Sequence, residues 1–353
     1  MVFPFVVVVV REYIPSTPPG FIGRGTKSLE RIFMTTIDAD FELQTAPFRR
    51  ELLAHCYRML GSVHDAEDLV QETLLRAWRS FDKYDANRAS MRTWLYRIAT
   101  NACITALDTR SRRPLPSGFV GASDDPGAPM VARTEVPWLQ PFPDVKLRTD
   151  PNDPASVIDS RGSMRLAFVA AMQFLPAKQR AVLILRDVLD WSAAEVAEAL
   201  DTTPTAVNSA LQRARIGMAD VRDTDVDEPD PARSKLLERY VAAFENADLD
   251  ALTKLLTDDV VLEMPPVLNW YVGRDGYRGF IARVFEMRGS DWKMVPIAAN
   301  GQPAVAAYVA QDGGYRLHTL QVFTTTAAGI AHTVVFQDDD VFAAFDLPTS
   351  LTV

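Results

Sequence analysis

Cysteine is nearly absent. Cys56 and Cys103 are the only two in 353 residues, they lie far apart, and they lack the close ligand spacing that marks a metal site. A disulfide framework is excluded, and a reduced, cytoplasmic chain is the simplest reading. Long hydrophobic runs are also missing. The opening MVFPFVVVVV is oily but only ten residues long before Arg11 and Glu12, too short to span a bilayer and without the basic leader of a signal peptide. Residues 1–45 are expected to be a disordered extension, with Met34 as an alternative start, and no membrane is expected among the partners. Nor is there an overall basic excess. The chain has 37 Lys and Arg against 46 Asp and Glu, net −9, so it is not coated in positive charge.

What is present is modular. At this length two or three domains are expected, and the charge is unevenly spread. Arg49 to Arg113 holds 12 basic and 8 acidic residues, whereas Ala232 to Val353 holds 10 and 15. Any nucleic-acid surface should therefore lie in the first part, because position rather than total charge decides.

Residues 46–113 read as a helical module. Phe48–Leu60 forms one helix, ended by Gly61. The next helix, DAEDLVQETLLRAW, buries Ala66, Val70, Thr73 and Ala77 with Leu69 and Leu74, leaving Asp65, Asp68, Gln71 and Glu72 outward. Such an acidic face can meet a protein partner. After a polar break, MRTWLYRIATNACITALDTRSRR buries Leu95, Ile98, Ala102 and Ala106 and leaves Arg92, Arg97, Asn101, Thr105 and Arg110 mostly off the stripe. These are donors suited to phosphates and base edges.

Residues 114–159 have the Pro, Gly, Ser and Asp composition of a linker. Within it, Trp138, Leu139 and Phe142 are apolar anchors, which a tether carries when it docks somewhere. Residues 160–222 return to helical period, with Met164, Phe168, Ala171 and Leu175 as one stripe and a helix from Ala177 to Asp187 burying Ala181, Val182 and Leu185. Then comes WSAAEVAEALDTTPTAVNSALQRAR. Ser192 with Glu195 forms a capping box. Asp201 and Thr202 make a turn, Thr203 caps the next helix, and Pro204 takes its first position. Burial of Val207, Ala210, Leu211 and Ala214 leaves Thr205, Asn208, Ser209, Gln212, Arg213 and Arg215 available, the chemistry of a major-groove recognition helix.

An acidic hinge, residues 223–231, precedes a module of different period over 232–347, with 348–353 as a tail. Lys235–Asn246 and Leu249–Leu256 read as helices. VVLEMPP, MVPIAANGQPAVAAYVA, YRLHTLQVFTTT and GIAHTVVFQDD read as a run of antiparallel strands with turns at Asn300-Gly301 and Asp312-Gly313. This is an α+β pattern, one curved sheet around the helices with a conical pocket. Asp259, Glu263, His318 and His332 are the acid–base candidates there, with no pair whose spacing compels proximity, and Trp270, Tyr271, Phe280, Phe285 and Trp292 could line a cavity or pack a core.

The stretches RELLAHCYRMLGSVHDAEDLVQETLLRAWRSF, TWLYRIATNACI, LPAKQRAVLILRDVLDWSAAEVAEAL and AVNSALQRAR, in that order, resemble the extracytoplasmic-function sigma factors. YVAAFENADLDALTKLLTDDVVLEMPP resembles the opening of a SnoaL-like domain of the nuclear-transport-factor-2 superfamily. The resemblance implies a multidomain chain: two all-α sigma modules, the second with a helix-turn-helix, and a C-terminal α+β cone-shaped barrel. It implies that Asp65, Asp68, Gln71 and Glu72 contact core RNA polymerase, and that Arg180, Arg186 and Asp187 face the polymerase flap. It assigns Lys83, Asn87, Arg88, Ser90, Arg92, Arg97 and Asn101 to the melted minus-ten element of promoter DNA, with Trp94 and Tyr96 available to stack on bases. Thr205, Asn208, Ser209, Gln212, Arg213 and Arg215 would read the minus-thirty-five duplex, and the linker around Trp138–Pro143 would thread near the polymerase cleft.

The expected function is promoter recognition and polymerase recruitment, with the C-terminal domain regulating it, no catalytic residues, no cofactor and no metal. An anti-sigma factor and a small-molecule ligand of the C-terminal domain are open as further partners. A one-component helix-turn-helix regulator and a fused SnoaL-like enzyme are the alternative readings.

Overall fold

The computed structural model describes residues 39–109, 111–147, 161–218 and 231–352. Residues 223–230 of the acidic hinge, residues 1–38 of the extension, Arg110 and the linker end 148–159 lie outside the described residues. The chain divides at Ala46 into two units, and the described part of the first is helical over 39–45.

In the second unit, α1 (Arg49–Leu60), α2 (Val63–Arg79) and α3 (Met91–Asp108) form the first helical module. Ser62 caps α2 by accepting from Asp65 N, and Ser90 caps α3 by accepting from Thr93 N, contacts that stabilise a helix start by about 1 kcal/mol each. Gly61 ends α1 in the left-handed conformation at φ 71°. A β-carbon there would stand 2.8 Å from Leu139 Cδ1, so the same glycine permits the turn and the approach of the linker.

The second module comprises a short helix Arg161–Met164, α4 (Leu166–Met172), α5 (Ala177–Leu183), a wider turn Ile184–Val188, α6 (Ala193–Ala199) and α7 (Pro204–Gly217). The stripe expected over Met164, Phe168, Ala171 and Leu175 is broken at Arg165. The chain restarts there: Met164 and Leu175 are buried as expected, whereas Phe168 and Ala171 are half-buried and Leu166, Val169 and Met172 form the buried face of α4. Both halves of the Ser192–Glu195 capping box are made.

The C-terminal domain opens with α8 (Pro231–Glu245) and α9 (Leu249–Thr253). Its sheet has the order β2-β1-β6-β5-β4-β3, from β1 (Leu256–Met264), β2 (Val267–Val272), β3 (Trp292–Ala299), β4 (Gln302–Gln311), β5 (Gly314–Thr326) and β6 (Gly329–Phe336). Three features depart from the expected run of antiparallel strands. β1 and β6 pair in parallel. The helix α10 (Gly273–Arg288) intervenes after β2; its three glycines weaken the local helix signal. Ser350–Leu351, expected as tail, forms β7 against β5, after α11 (Asp339–Ala344). The core gathers rings from both layers: Tyr240 lies 4.7 Å from Phe323, and Phe244 lies 5.4 Å from Trp292 at 90°, edge-to-face geometry favoured by ring quadrupoles.

Candidate functional site

On α2, Asp68 and Gln71 are exposed and Glu72 half-buried. Glu72 is held by Arg76 at 2.7 Å one turn on. Asp65 is engaged differently: Arg113, the last residue of the first module before the linker, reaches its carboxylate at 2.6 Å and also donates to Trp138 O of the linker. Lys146, from the far end of the described linker, meets Glu67 at 2.5 Å. The C-terminal domain touches the same helix, with His64 Nε2 3.0 Å from Asp340 O. Residues at the two ends of the linker, Arg113 just before it and Lys146 within it, thus pair with the acidic helix.

Lys83, Asn87, Arg88 and Ser90 are exposed in the loop before α3, with Asn87 folded onto Asp85 Oδ1. Arg97 is exposed. Arg92 is ion-paired to Glu51 at 2.8 Å and lies 5.0 Å over the Tyr96 ring. The two aromatics expected to be available for stacking differ. Tyr96 is buried, 5.8 Å from Trp191 of the second module, whereas Trp94 is half-buried and 5.0 Å from Tyr84. Asn101 donates to Ala199 O at 3.3 Å, at the end of α6. One face of the helix expected to meet unpaired DNA is therefore packed against the second module, while Arg97 and Asn101 remain exposed.

Arg180 is the firmest link between those modules. Its guanidinium is buried and donates to Met59 O, to Gln173 Oε1 at 2.8 Å, and to Gln173 O and Leu175 O. Burial pushes its pKa down to about 10, which leaves it charged at neutral pH, and a charged group removed from water requires this number of acceptors. In this arrangement no surface of Arg180 is open to a partner; the expectation of an exposed flap contact overlooked acceptors supplied 121 residues away. Arg186 is half-buried and donates to Trp191 O, and Asp187 binds Arg215 in a bidentate pair at 2.7 and 3.1 Å.

The recognition helix is open. Thr205, Asn208, Ser209, Gln212, Arg213 and Arg215 are all exposed on α7, while Val207, Leu211 and Ala214 are buried. Thr203 accepts from Ala206 N, and Pro204 fills the first position. Five donor side chains other than the paired Arg215 stand on one helix whose back is fixed to α5 and α6.

The linker is docked along its described length. Leu139 and Phe142 are fully buried, and the Phe142 ring lies 4.8 Å from that of Tyr57, tilted by 54°. Asn300, buried at a left-handed turn with φ 58°, joins every module. Its Nδ2 donates to Tyr57 Oη at 2.9 Å and Met164 O at 2.7 Å, its Oδ1 accepts from Phe142 N at 2.7 Å, and its own N–H donates to Phe142 O. Gly301 N donates to Asp144 Oδ1 at 2.8 Å.

The acid–base candidates separate. Asp259 is exposed. His318 faces the interior cavity of the C-terminal domain. Glu263 and His332 meet across β1 and β6 at 2.9 Å, a proximity that the parallel register creates and that strand assignment alone does not disclose. Strand alternation sends Leu262 and Met264 into the cavity and Glu263 to the opposite face. There Glu263 accepts from Ser117 N of the linker at 2.7 Å. Burial raises the pKa of its carboxyl, but contact with His332 and the Ser117 donor outweighs this and holds it below the usual range. The pair fastens the linker rather than lining the pocket. Among the described residues no cluster of His, Cys, Asp and Glu could hold a metal, and no helix is long and apolar enough to cross a membrane.

Three family models match the chain in succession: Sigma-70 region 2 over residues 46–113, Sigma-70 region 4 over 165–216, and a SnoaL-like domain over 237–340. With helical sigma modules followed by the mixed sheet, they define a sigma factor of two DNA-handling regions and an appended domain. The chain belongs to the ECF RNA polymerase sigma factors, which direct the polymerase to promoters. It is 50% identical over 317 residues to the ECF RNA polymerase sigma factor SigG of Mycobacterium tuberculosis, covering 88% of this chain and 85% of that protein. It is 30% identical to SigJ of the same organism over 60% of this chain and 61% of SigJ. The crystal structure of M. tuberculosis SigJ matches with a TM-score of 0.60 at 24% identity, covering 86% of this chain and 98% of that one, which shows the shared fold.

Proposed function

We propose that the C-terminal domain holds the linker and the first sigma region in a closed arrangement, and that release of this hold frees the chain to engage polymerase and the minus-ten element. Asp68, Gln71 and Glu72 then meet core polymerase together with Asp65 once Arg113 leaves it. Lys83, Asn87, Arg88, Ser90, Arg92, Arg97 and Asn101 meet the unpaired strand. Thr205, Asn208, Ser209, Gln212, Arg213 and Arg215 read the minus-thirty-five duplex, and Arg186 and Asp187 face the flap. Arg180 joins that contact after its bonds to Met59 and Gln173 break.

The observation that carries this reading is Asn300, which binds Tyr57, Phe142 and Met164 at once. A domain with only its own chemistry to perform has no need of such a junction. Glu263 and His332 support the same role, because their carboxylate is spent on the linker backbone. The test is run-off transcription with core polymerase, comparing the full chain with one ending at Arg222. The truncated chain is expected to change promoter output; identical transcription would sink the regulatory role while leaving sigma-factor membership untouched.

A further inference from the structure

We propose that the cavity of the C-terminal domain binds a compact aromatic molecule carrying a carbonyl oxygen, and that Met130 of the linker reads whether it is occupied. This rests on the reading of the domain as one that governs the linker.

The cavity measures about 100 Å³, several times what a single water requires. Its walls are apolar and aromatic, including Phe244, Phe280, Ile281 and Trp292. Met130, Met264 and Met287 also line it; unbranched and adaptable, they can shift to admit a ring slightly larger than the resting space.

The polar end selects for an acceptor. Tyr240 Oη donates to Gln321 Oε1 at 3.0 Å and lies 3.0 Å from Tyr277 Oη, which reaches Thr333 Oγ1 at 3.2 Å. Burial raises the pKa of both phenols, so these groups stay neutral and satisfy one another. The Gln321 amide nitrogen has two N–H groups and spends one on a long 3.4 Å contact with Thr319 Oγ1. A carbonyl oxygen placed in the cavity would take the other. No carboxylate lines the space, its charged residue is Arg288 at the exposed rim, and His318 is held neutral by burial, its pKa pushed down to about 4. A cation finds no counter-charge here.

Occupancy is coupled to the linker by construction. Met130 is 43% exposed and belongs to a linker segment laid along β2, where Leu268 N donates to Val131 O at 2.8 Å and Val131 N donates to Asn269 Oδ1 at 2.9 Å. Arg283 of α10 clamps Pro126 O and Ala128 O at 2.8 and 2.6 Å. The neighbouring turns of α10 supply Phe280, Ile281, Val284 and Met287 to the cavity wall. One helix thus both walls the cavity and grips the strap beside Met130.

The test is a methyl NMR titration of the full chain, labelled at methionine, with acetophenone and with ethylbenzene. Saturable shifts are expected at Met130, Met264 and Met287, with Met59 and Met172 of the sigma modules unmoved. Acetophenone should bind about fivefold more tightly than ethylbenzene, the worth of one neutral hydrogen bond, and Gln321→Met should erase that preference while keeping ethylbenzene affinity. Absence of saturable shifts with either probe overturns the site. Shifts at Met264 and Met287 that spare Met130 overturn the coupling, and equal affinities in the unmodified chain overturn carbonyl recognition without recourse to a variant. No polymerase is present, so a cavity that binds neither probe leaves the truncation result standing, and the two readings fail separately.

Discussion

Helix α7, proposed to read duplex DNA, and helix α3, proposed to meet the unpaired strand, are both donor-bearing amphipathic helices, yet they are engaged to different degrees. Every candidate residue of α7 is exposed. On α3, Arg92 is paired to Glu51, Asn101 reaches Ala199, and Tyr96 is buried against Trp191. The difference teaches that the surface proposed for duplex DNA is open throughout, whereas the one proposed for unpaired DNA keeps Lys83, Asn87, Arg88, Ser90, Arg97 and Asn101 exposed but has Arg92 and Tyr96 engaged internally, so the two are open to different degrees in one conformation.

The comparison breaks most severely if the linker is undocked. Phe142→Ala removes a fully buried ring and should lower stability by about 3–5 kcal/mol, measured by urea unfolding, with faster hydrogen exchange in α1 and α3 and little change in α7. Asn300→Gly keeps the left-handed turn but deletes the side-chain bonds to three modules. A cost of about 2–3 kcal/mol is expected; a loss confined to the C-terminal domain would contradict its role as a junction.

Acid should act on the first helical module through His55. Burial, reinforced by Arg58 and Arg92, holds His55 neutral with its pKa lowered from 6.5 to about 3. The unfolded chain therefore binds the proton first as pH falls, so stability is present above pH 6.5 and is lost toward pH 3. Between pH 7 and 5 the loss from this group is about 2 kcal/mol, and His55→Gln should remove that portion of the slope in pH-dependent unfolding. The smallest effect on the fold is expected from Arg213→Ala, which should leave unfolding unchanged and weaken minus-thirty-five binding about tenfold, as read by fluorescence anisotropy with duplex DNA. An unaltered affinity would remove Arg213 from the reading set.

The parts legible in the sequence are those set within a few residues. The capping box at Ser192, the Thr203 cap with Pro204 behind it, and the exposure of α7 all follow from helical period and local donors. The stripe of α2 was legible for the same reason. What escaped depends on residues distant in sequence. Arg180 looks like a surface cation until Met59 O, 121 positions earlier, is brought to it. Glu263 and His332 become neighbours only because β1 and β6 run parallel, and Ser117 caps the carboxylate from 146 positions away. The linker composition signalled a tether with anchors at Leu139 and Phe142, but no periodicity names the surface that receives them. α10 was hidden by Gly276 and Gly279, which its packing calls for because Tyr271 Cβ and Pro126 Cγ come within 3.2 and 2.9 Å of where their β-carbons would lie.

Asn300 is a single amide shared by everything that must separate, and the hold it exerts is unimolecular. A separate inhibitor protein is titrated away when its target becomes abundant; a hold carried in the same polypeptide is present at the same effective concentration in every molecule. On this reading the active fraction does not depend on how much of the chain a cell makes, and because one side chain bridges three modules, opening is closer to all-or-none than to a graded loosening.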